Sequence, residues 1–368
     1  MRTIGTVARG VRAPIIREGD NIAEVAAASV MEAWKEAGIE PHDRDVVAIT
    51  ESVVARAQGN YATLDQIAKD VREKTGGGTV GVAFPIMSRN RFSLLLRGMA
   101  MGCKKIVLLL SYPSDEVGNG LVDWDKLDEA GVDPYSDVLT LEQFREKFGA
   151  AVHPFTGVDY IDFYSGIITD AGAEVEVLFG NRVQTLCGCT DAVITCDIHT
   201  RARSKRLLKA GGAKIVLGLD DLLTKSVDGS GYNKEYGLLG SNKATEESVK
   251  LFPRDCMVVA EELSALLSNA SGKHIEAMVY GDGAFKDPVG KIWELADPVV
   301  SPGYTKGLVG TPNELKLKYL ADNDFGDLKG EALKAAIEER IREKTDESLV
   351  GNMVSELSLI HISEPTRL

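Results

Sequence analysis

Val80-Gly81-Val82-Ala83-Phe84 and Lys105-Ile106-Val107-Leu108-Leu109-Leu110-Ser111 bracket the longer run Arg91-Phe92-Ser93-Leu94-Leu95-Leu96-Arg97-Gly98-Met99-Ala100-Met101. The outer runs have strand length and the middle run has helix length, so the three read as strand, helix, strand, with Ile106 to Leu110 a buried strand. Reading outward, the same alternation continues. Upstream lie a short strand from Thr3 to Ala8 and an irregular stretch from Gly10 to Ile16. A helix over Ile22 to Ala37 follows, capped by Asp20 and ended by Gly38. A strand from Asp45 to Thr50 runs on into Glu51-Ser52-Val53-Val54, and a helix over Leu64 to Lys74 stops at Gly76-Gly77-Gly78. Downstream come strands at Val175 to Phe179, Ala192 to Cys196 and Lys214 to Leu217, with a helix at Arg203 to Ala210. A glycine-rich loop at 228–240, a helix at Ala260 to Ser268, a strand at Ile275 to Tyr280 and a helix at Glu331 to Lys344 complete the pattern. Alternation of this kind predicts an α/β fold (mixed α+β). Between Tyr112 and Asp162 the pattern lapses over a length unusual for a plain connection, which predicts a lid or a small subdomain.

The bulk composition narrows the function. At 368 residues the chain has room for two domains, or for one with an insertion. A net charge of −13 argues against a nucleic-acid partner. No apolar run approaches the ~20 residues that cross a bilayer, and the N-terminus lacks a secretory stretch, so a cytoplasmic protein is expected. Five cysteines give no disulfide framework. Cys187-x-Cys189 has no second pair or histidine cluster at metal-binding distance, so reduced, mostly buried thiols are expected rather than a metal–thiolate site.

Chemistry-bearing residues gather in four places. Asp45-Val46-Val47-Ala48-Ile49-Thr50-Glu51-Ser52-Val53-Val54-Ala55-Arg56 joins a strand end to a hydroxyl and a cation, which suits a polyphosphate. Val193-Ile194-Thr195-Cys196-Asp197-Ile198-His199-Thr200-Arg201 crowds polar groups beyond the carboxyl end of a strand, where open α/β sheets place their sites. Ser114-Asp115-Glu116-Val117-Gly118-Asn119 follows another strand and reads either as a metal-binding acid or as a solvated acidic turn. Tyr280-Gly281-Asp282-Gly283 reads either as a third acid or as a turn whose aspartate bonds its own backbone. Gly237-Leu238-Leu239-Gly240-Ser241-Asn242-Lys243 can cradle phosphate, though glycine-rich loops alone are weak signals.

Gly10-Val11-Arg12-Ala13-Pro14-Ile15-Ile16-Arg17-Glu18-Gly19-Asp20-Asn21 together with the Asp45 to Gly59 stretch resembles the opening of the coenzyme F-420 glutamyl ligases. The likeness is closest over residues 4–75 and patchy to about 200. It implies a two-domain, homodimeric fold and a GTP- and divalent-metal-dependent ligase (Mg or Mn) that joins L-glutamate to an acidic acceptor through an acyl phosphate. Carried over by position, the nucleotide contacts fall on Ala13, Pro14, Ile15, Ile16, Glu51, Ser52, Arg56 and Asn119. The metal falls on Asp197, the backbone of Ile198 and Asp115, with Asp282 as a further acid. Asp197 and Arg201 would be catalytic, Arg203 would help bind the acidic substrate, and His199 either substitutes as a ligand or bonds its loop. The family lysine is Arg56 here, its glutamate is Gln58, and its metal-binding threonine is Ile198; these departures keep a different phosphotransferase, or a nucleotide-binding regulator without turnover, as alternatives. The expected organisation is a nucleotide-binding part at 1–111, a loop-rich insertion at 112–170 and a second α/β part at 171–356. The last stretch, Leu357-Ser358-Leu359-Ile360-His361-Ile362-Ser363-Glu364-Pro365-Thr366-Arg367, reads like one frame of a sequencing adapter. Residues 357–368 are therefore expected to stand outside the fold, with the native chain cut near Glu356.

Overall fold

The computed structural model describes residues 7–153, 157–281, 284–286, 293–295, 299–309 and 320–348. Its strands are β1 (Val46–Thr50), β2 (Tyr61–Thr63), β3 (Thr79–Ala83), β4 (Lys105–Leu110), β5 (Leu139–Thr140), β6 (Glu174–Phe179), β7 (Ala192–Thr195), β8 (Ile215–Gly218), β9 (Asn242–Thr245), β10 (Ser248–Lys250), β11 (Glu276–Tyr280), β12 (Ala284–Lys286), β13 (Trp293–Leu295) and β14 (Gly303–Tyr304). The helices are α1 (Ile22–Ala37), α2 (Glu51–Ala57), α3 (Leu64–Thr75), α4 (Phe92–Met101), α5 (Trp124–Ala130), α6 (Leu141–Phe148), α7 (Tyr160–Asp170), α8 (Arg201–Ala210), α9 (Cys256–Ser271) and α10 (Gly330–Ser348). The fold is mixed α/β, as the alternation predicts.

Six strands form the main sheet in the order β5-β6-β4-β3-β7-β8. All neighbours pair in parallel except the short edge strand β5. The chain starts at β3, builds outward through β4 and β6, then returns to lay down β7 and β8 on the other side. The order therefore reverses between β3 and β7, and loops leaving their carboxyl ends diverge to leave a crevice. From Ile106 to Leu110 β4 is buried on both faces, as a parallel strand covered by helices must be. Helix α4 is apolar nearly all round and buried along most of its length. Its partner α3 approaches so closely that a Cβ on Gly98 would lie 2.8 Å from Ile67 Cγ2.

A second layer consists of β1 and β11 in parallel, with β14 antiparallel to β11. Helices α1 and α9 cover it, and the small face Ala23, Ala26, Ala27 and Val30 lets α1 sit close to Leu263 and Leu267. A third small sheet, β2-β10-β9, joins the two.

Several expectations change in detail. The α1 cap is Asn21, whose Oδ1 accepts from Ala23 and Glu24; Asp20 instead accepts from Arg17 N. Glu51 onward is helix rather than the end of a strand, because Val54 and Ala55 are wholly buried against neighbouring elements and override β propensity. The 112–162 stretch carries α5, α6 and the start of α7, and its Leu127, Phe144 and Tyr160 belong to the main core. The strand expected at Thr3 to Ala8 falls mostly, and the 357–368 tail wholly, outside the described residues. Asp282 lies outside them too.

Candidate active site

Two loops meet over the crevice between β3 and β7. The first, following β4, is organised by Asp115. Its Oδ2 accepts from Met87 N (2.9 Å) and Asn119 Nδ2 (2.8 Å), and its Oδ1 from Val117 N (3.1 Å) and Asn119 N (2.9 Å). Asp115 is 8 % exposed and Asn119 is buried with it, while Glu116 and Gly118 of the same turn are exposed. Burial pushes the Asp115 carboxyl above its ordinary value, outweighing the amides that pull it down.

The second loop follows β7 and leads into α8. Asp197 is buried and accepts from the hydroxyls of Thr195, Thr200 and Ser204, the last at 2.8 Å. Glu116 ties the loops together: its Oε1 accepts from Ile198 N at 2.6 Å and its Oε2 from His199 N at 3.3 Å. Burial raises the Glu116 carboxyl, the two amides oppose that shift, and the Asp197 charge adds to it. A group raised in the folded state contributes stability below its unfolded value, 4.5 here, that is lost as pH rises through the folded one. Urea unfolding of Glu116→Gln should therefore show the wild type losing stability relative to the variant as pH climbs from about 4 toward 7. A difference that stays flat across that range would count against the shift.

Arg201 is engaged locally, with Nη1 donating to Ile198 O and Nε to Asp220 Oδ2 at 3.2 Å. Asp220 also holds Lys205 at 2.7 Å. Arg203, His199 and Thr200 are exposed at the start of α8.

The other sequence-predicted group lies on the second layer. Ala13, Pro14 and Ile15 are exposed, while Ile16 packs with Val54 and Ala57 of α2 and brings that loop against the helix. Glu51 is buried, and the buried Lys250 donates to its two oxygens at 3.0 and 3.3 Å and to Ser52 Oγ at 2.7 Å. Arg56 is exposed one turn beyond Ser52. Sequence reasoning missed Lys250, a lone basic residue in a short strand with nothing in its spacing to mark it. It missed Glu116 as well, because only the fold sets residue 116 against residue 198.

The two groups share one strand pair: Lys250 of β10 lies opposite Asn242 of β9, the residue after Ser241. Ser241 lines a void of about 40 Å³ at the crevice, with Ile86, Ser88, Arg91, Cys196 and Ile198 among the walls. Its loop turns sharply at Gly237, where φ is +53° and a Cβ would lie 2.3 Å from Leu222 O. The Gly-Ser-Asn stretch, which follows Asp197 in the sequence, lies across this void from the Asp197 loop. Burial, with the neighbouring Asp197 charge adding to it, holds the Cys196 thiol well above its ordinary value. Of the other cysteines, Cys256 is buried, Cys103 and Cys187 are half-buried, and Cys189 is exposed.

A resident metal ion would need several protein donors gathered in one place. Among the described residues, no three His, Cys, Asp or Glu side chains are grouped to hold one. Asp115 has all of its roughly four acceptor positions occupied and Asp197 has three occupied. Among the described residues an all-protein cage does not fit, whereas an ion carried in by a nucleotide would need only one carboxylate beside the substrate phosphates.

No helix among the described residues is long and apolar enough to cross a membrane. No protein of curated function and no solved structure matches the chain. One family model does, over residues 10–361, and its description is F420-0:gamma-glutamyl ligase. With that match running along nearly the whole sequence, the chain belongs to the F420-0:gamma-glutamyl ligase family.

Proposed function

We propose that the protein is a cytoplasmic, homodimeric ligase that uses GTP and Mg or Mn to join L-glutamate to an F-420-like acidic acceptor. The supporting observation is the Glu116 clamp, which draws the Asp115–Asn119 turn against the Asp197 loop over the β3/β7 crevice. In this reading an acceptor carboxylate oxygen attacks the γ-phosphorus, and the bond to the departing GDP oxygen breaks. The glutamate amine then attacks the acyl carbon, phosphate leaves with the C–O electron pair, and the amine proton passes to solvent. The ion, entering with the nucleotide, supplies charge neutralisation on the phosphates.

The chain's own residues align and hold. Asp197 offers its remaining acceptor position, and Glu116 fixes the loop that carries it. Ser52, held from behind by Lys250, and Arg56 one turn on present a hydroxyl and a cation to phosphate. Ile16 packs against the same helix and holds the exposed Ala13, Pro14 and Ile15 beside it. Arg203 is free to face an acidic substrate at the crevice mouth; Arg201, engaged by Asp220 and Ile198, sets the start of α8.

The test is GTP-dependent phosphate release with Mg or Mn, with and without L-glutamate and a deazaflavin acceptor. Release that requires both is the expected result. Release independent of glutamate would replace the ligase with a phosphotransferase. GTP binding with no release in any combination would point to a regulator without turnover.

A further inference from the structure

Tyr164 of α7 is wholly buried, and its hydroxyl engages a distant loop rather than its own helix. It accepts from Ser88 N at 2.7 Å and donates to Ser88 O at 3.2 Å. The ring sits edge-on to Phe92 at 5.6 Å and to Tyr160 at 5.8 Å, which fixes where the hydroxyl lies. Ser88 belongs to the loop that leaves β3 at the sheet reversal and lines the crevice. That loop begins on Phe84, whose φ of +55° is unfavourable for an aromatic residue and persists only where neighbours hold the chain. From Ser88 the contacts form an unbroken series. Met87 N donates to Asp115 Oδ2, the adjacent Glu116 accepts from Ile198 N and His199 N, and Asp197 directly precedes them.

We propose that Tyr164 is a positioning residue for the crevice, its hydroxyl setting the spacing of the Asp115 and Asp197 loops through the Ser88 backbone. A hydroxyl bonded to both the N–H and the carbonyl of one residue restrains that backbone more closely than either bond alone. Its removal leaves Ser88 N buried without this acceptor and lets the strain at Phe84 relax. Met87 then shifts relative to Asp115, and the displacement reaches the Asp197 loop through Glu116. Tyr164 acts by alignment alone, where a misplacement of about 1 Å is enough to slow a reaction about a hundredfold. Because α7 ends the 112–170 stretch, the same hydroxyl connects that insertion to the crevice. The effect on turnover rests on the ligase reading; the linkage between the loops does not.

Tyr164→Phe keeps the ring in its aromatic cluster and removes only the hydroxyl. Ser264→Ala is the control, since it deletes a comparable hydroxyl bond, to Ile275 O at 2.6 Å, in α9 of the other layer. Both variants of the full chain are followed by amide hydrogen exchange without ligand and by glutamate-dependent phosphate release. In Tyr164→Phe, exchange should quicken about tenfold over 86–91 and also at Ile198 and His199. Its kcat should fall about ten- to a hundredfold while KM for GTP stays within about twofold, because Ser52, Lys250 and Arg56 are untouched. Ser264→Ala should share the lower melting temperature and change neither crevice exchange nor kcat. Unchanged exchange over 86–91 in Tyr164→Phe would overturn the linkage, as would quickened exchange confined to that loop. A kcat equal to the control's, or a loss carried by KM alone, would overturn the positioning role. A wild type without turnover would remove the ligase reading, and the spread of exchange to Ile198 and His199 would then decide the linkage by itself. Glutamate-dependent turnover alongside unchanged Tyr164→Phe exchange would keep that reading and remove the linkage.

Discussion

Lys250→Met is expected to destabilise the protein by about 3–5 kcal/mol, the largest single-residue effect on stability foreseen here. The Lys250 and Glu51 side chains are only 9 % and 6 % exposed, so their ion pair is shielded from solvent. Methionine fills the volume of the lysine stem but removes the ammonium, and the Glu51 carboxylate stays in the interior without that charge. Most of this cost is the loss of the ammonium beside a buried carboxylate rather than the worth of the pair. The double variant Glu51→Gln/Lys250→Met should therefore recover the greater part of it. Urea unfolding of the two singles and the double measures the coupling directly. A loss below about 1 kcal/mol in Lys250→Met would show that water reaches the pair and that it behaves as a surface contact. Ser52 loses its donor in the same variant, so the apparent affinity for GTP should fall together with stability if Ser52 and Lys250 hold phosphate. In the double variant the two readouts part: stability returns and nucleotide affinity does not.

Asp197→Asn carries the largest expected effect on activity. The side chain keeps its shape, Oδ1 still accepts hydroxyl bonds, and the surrounding hydroxyls can rotate to accept from the new amide. Loss of stability should stay near 1–2 kcal/mol. Turnover should fall by about 10²–10³, the scale of removing one fixed charge from a phosphoryl-transfer site. Asp197→Ala is the harsher change, since it leaves the buried hydroxyls of Thr195 and Ser204 without their acceptor, at about 1–3 kcal/mol each. Comparing the two separates charge from scaffolding. Phosphate release that survives Asp197→Asn but not Asp197→Ala would assign this carboxylate to loop geometry alone.

Much of the layer pattern is readable from the residues. The strands at 79–83, 105–110, 174–179, 192–195 and 215–218 and the helices at 22–37, 64–75 and 92–101 announce themselves by length, apolar content and terminal glycines. Shorter elements stay hidden. β2, β5, β9 and β10 have two to four residues each, and their pairing depends on partners far away in the chain. The helices at 124–130 and 141–148 sit among prolines and acids that read as loop. At the site, Asp197 and Asp115 are visible as acids beyond strand ends, but their roles as hydrogen-bond hubs are not. The partners of Asp197 lie within seven residues of it, and Asn119 is as local to Asp115, yet Met87 reaches Asp115 only because β3 and β4 are neighbours. Ser241 and Glu116 are a sharper case, since nothing in their own neighbourhoods distinguishes a crevice residue from an ordinary loop residue.

The two borders of the main sheet bear on how the protein behaves at high concentration. One border is β5, two residues long and antiparallel; the other is β8, four residues long and flanked at its start by Lys214, which pairs with Asp191 at 2.6 Å. A foreign strand docking there would find too few open amides and carbonyls to make a lasting ladder. With a net charge of −13 opposing random encounters, neither border of this sheet offers a long template for edge-to-edge growth. The long central strands, apolar enough to be hazardous if uncovered, stay enclosed while the chain is folded, so precipitation on storage would report unfolding rather than self-association of the native form.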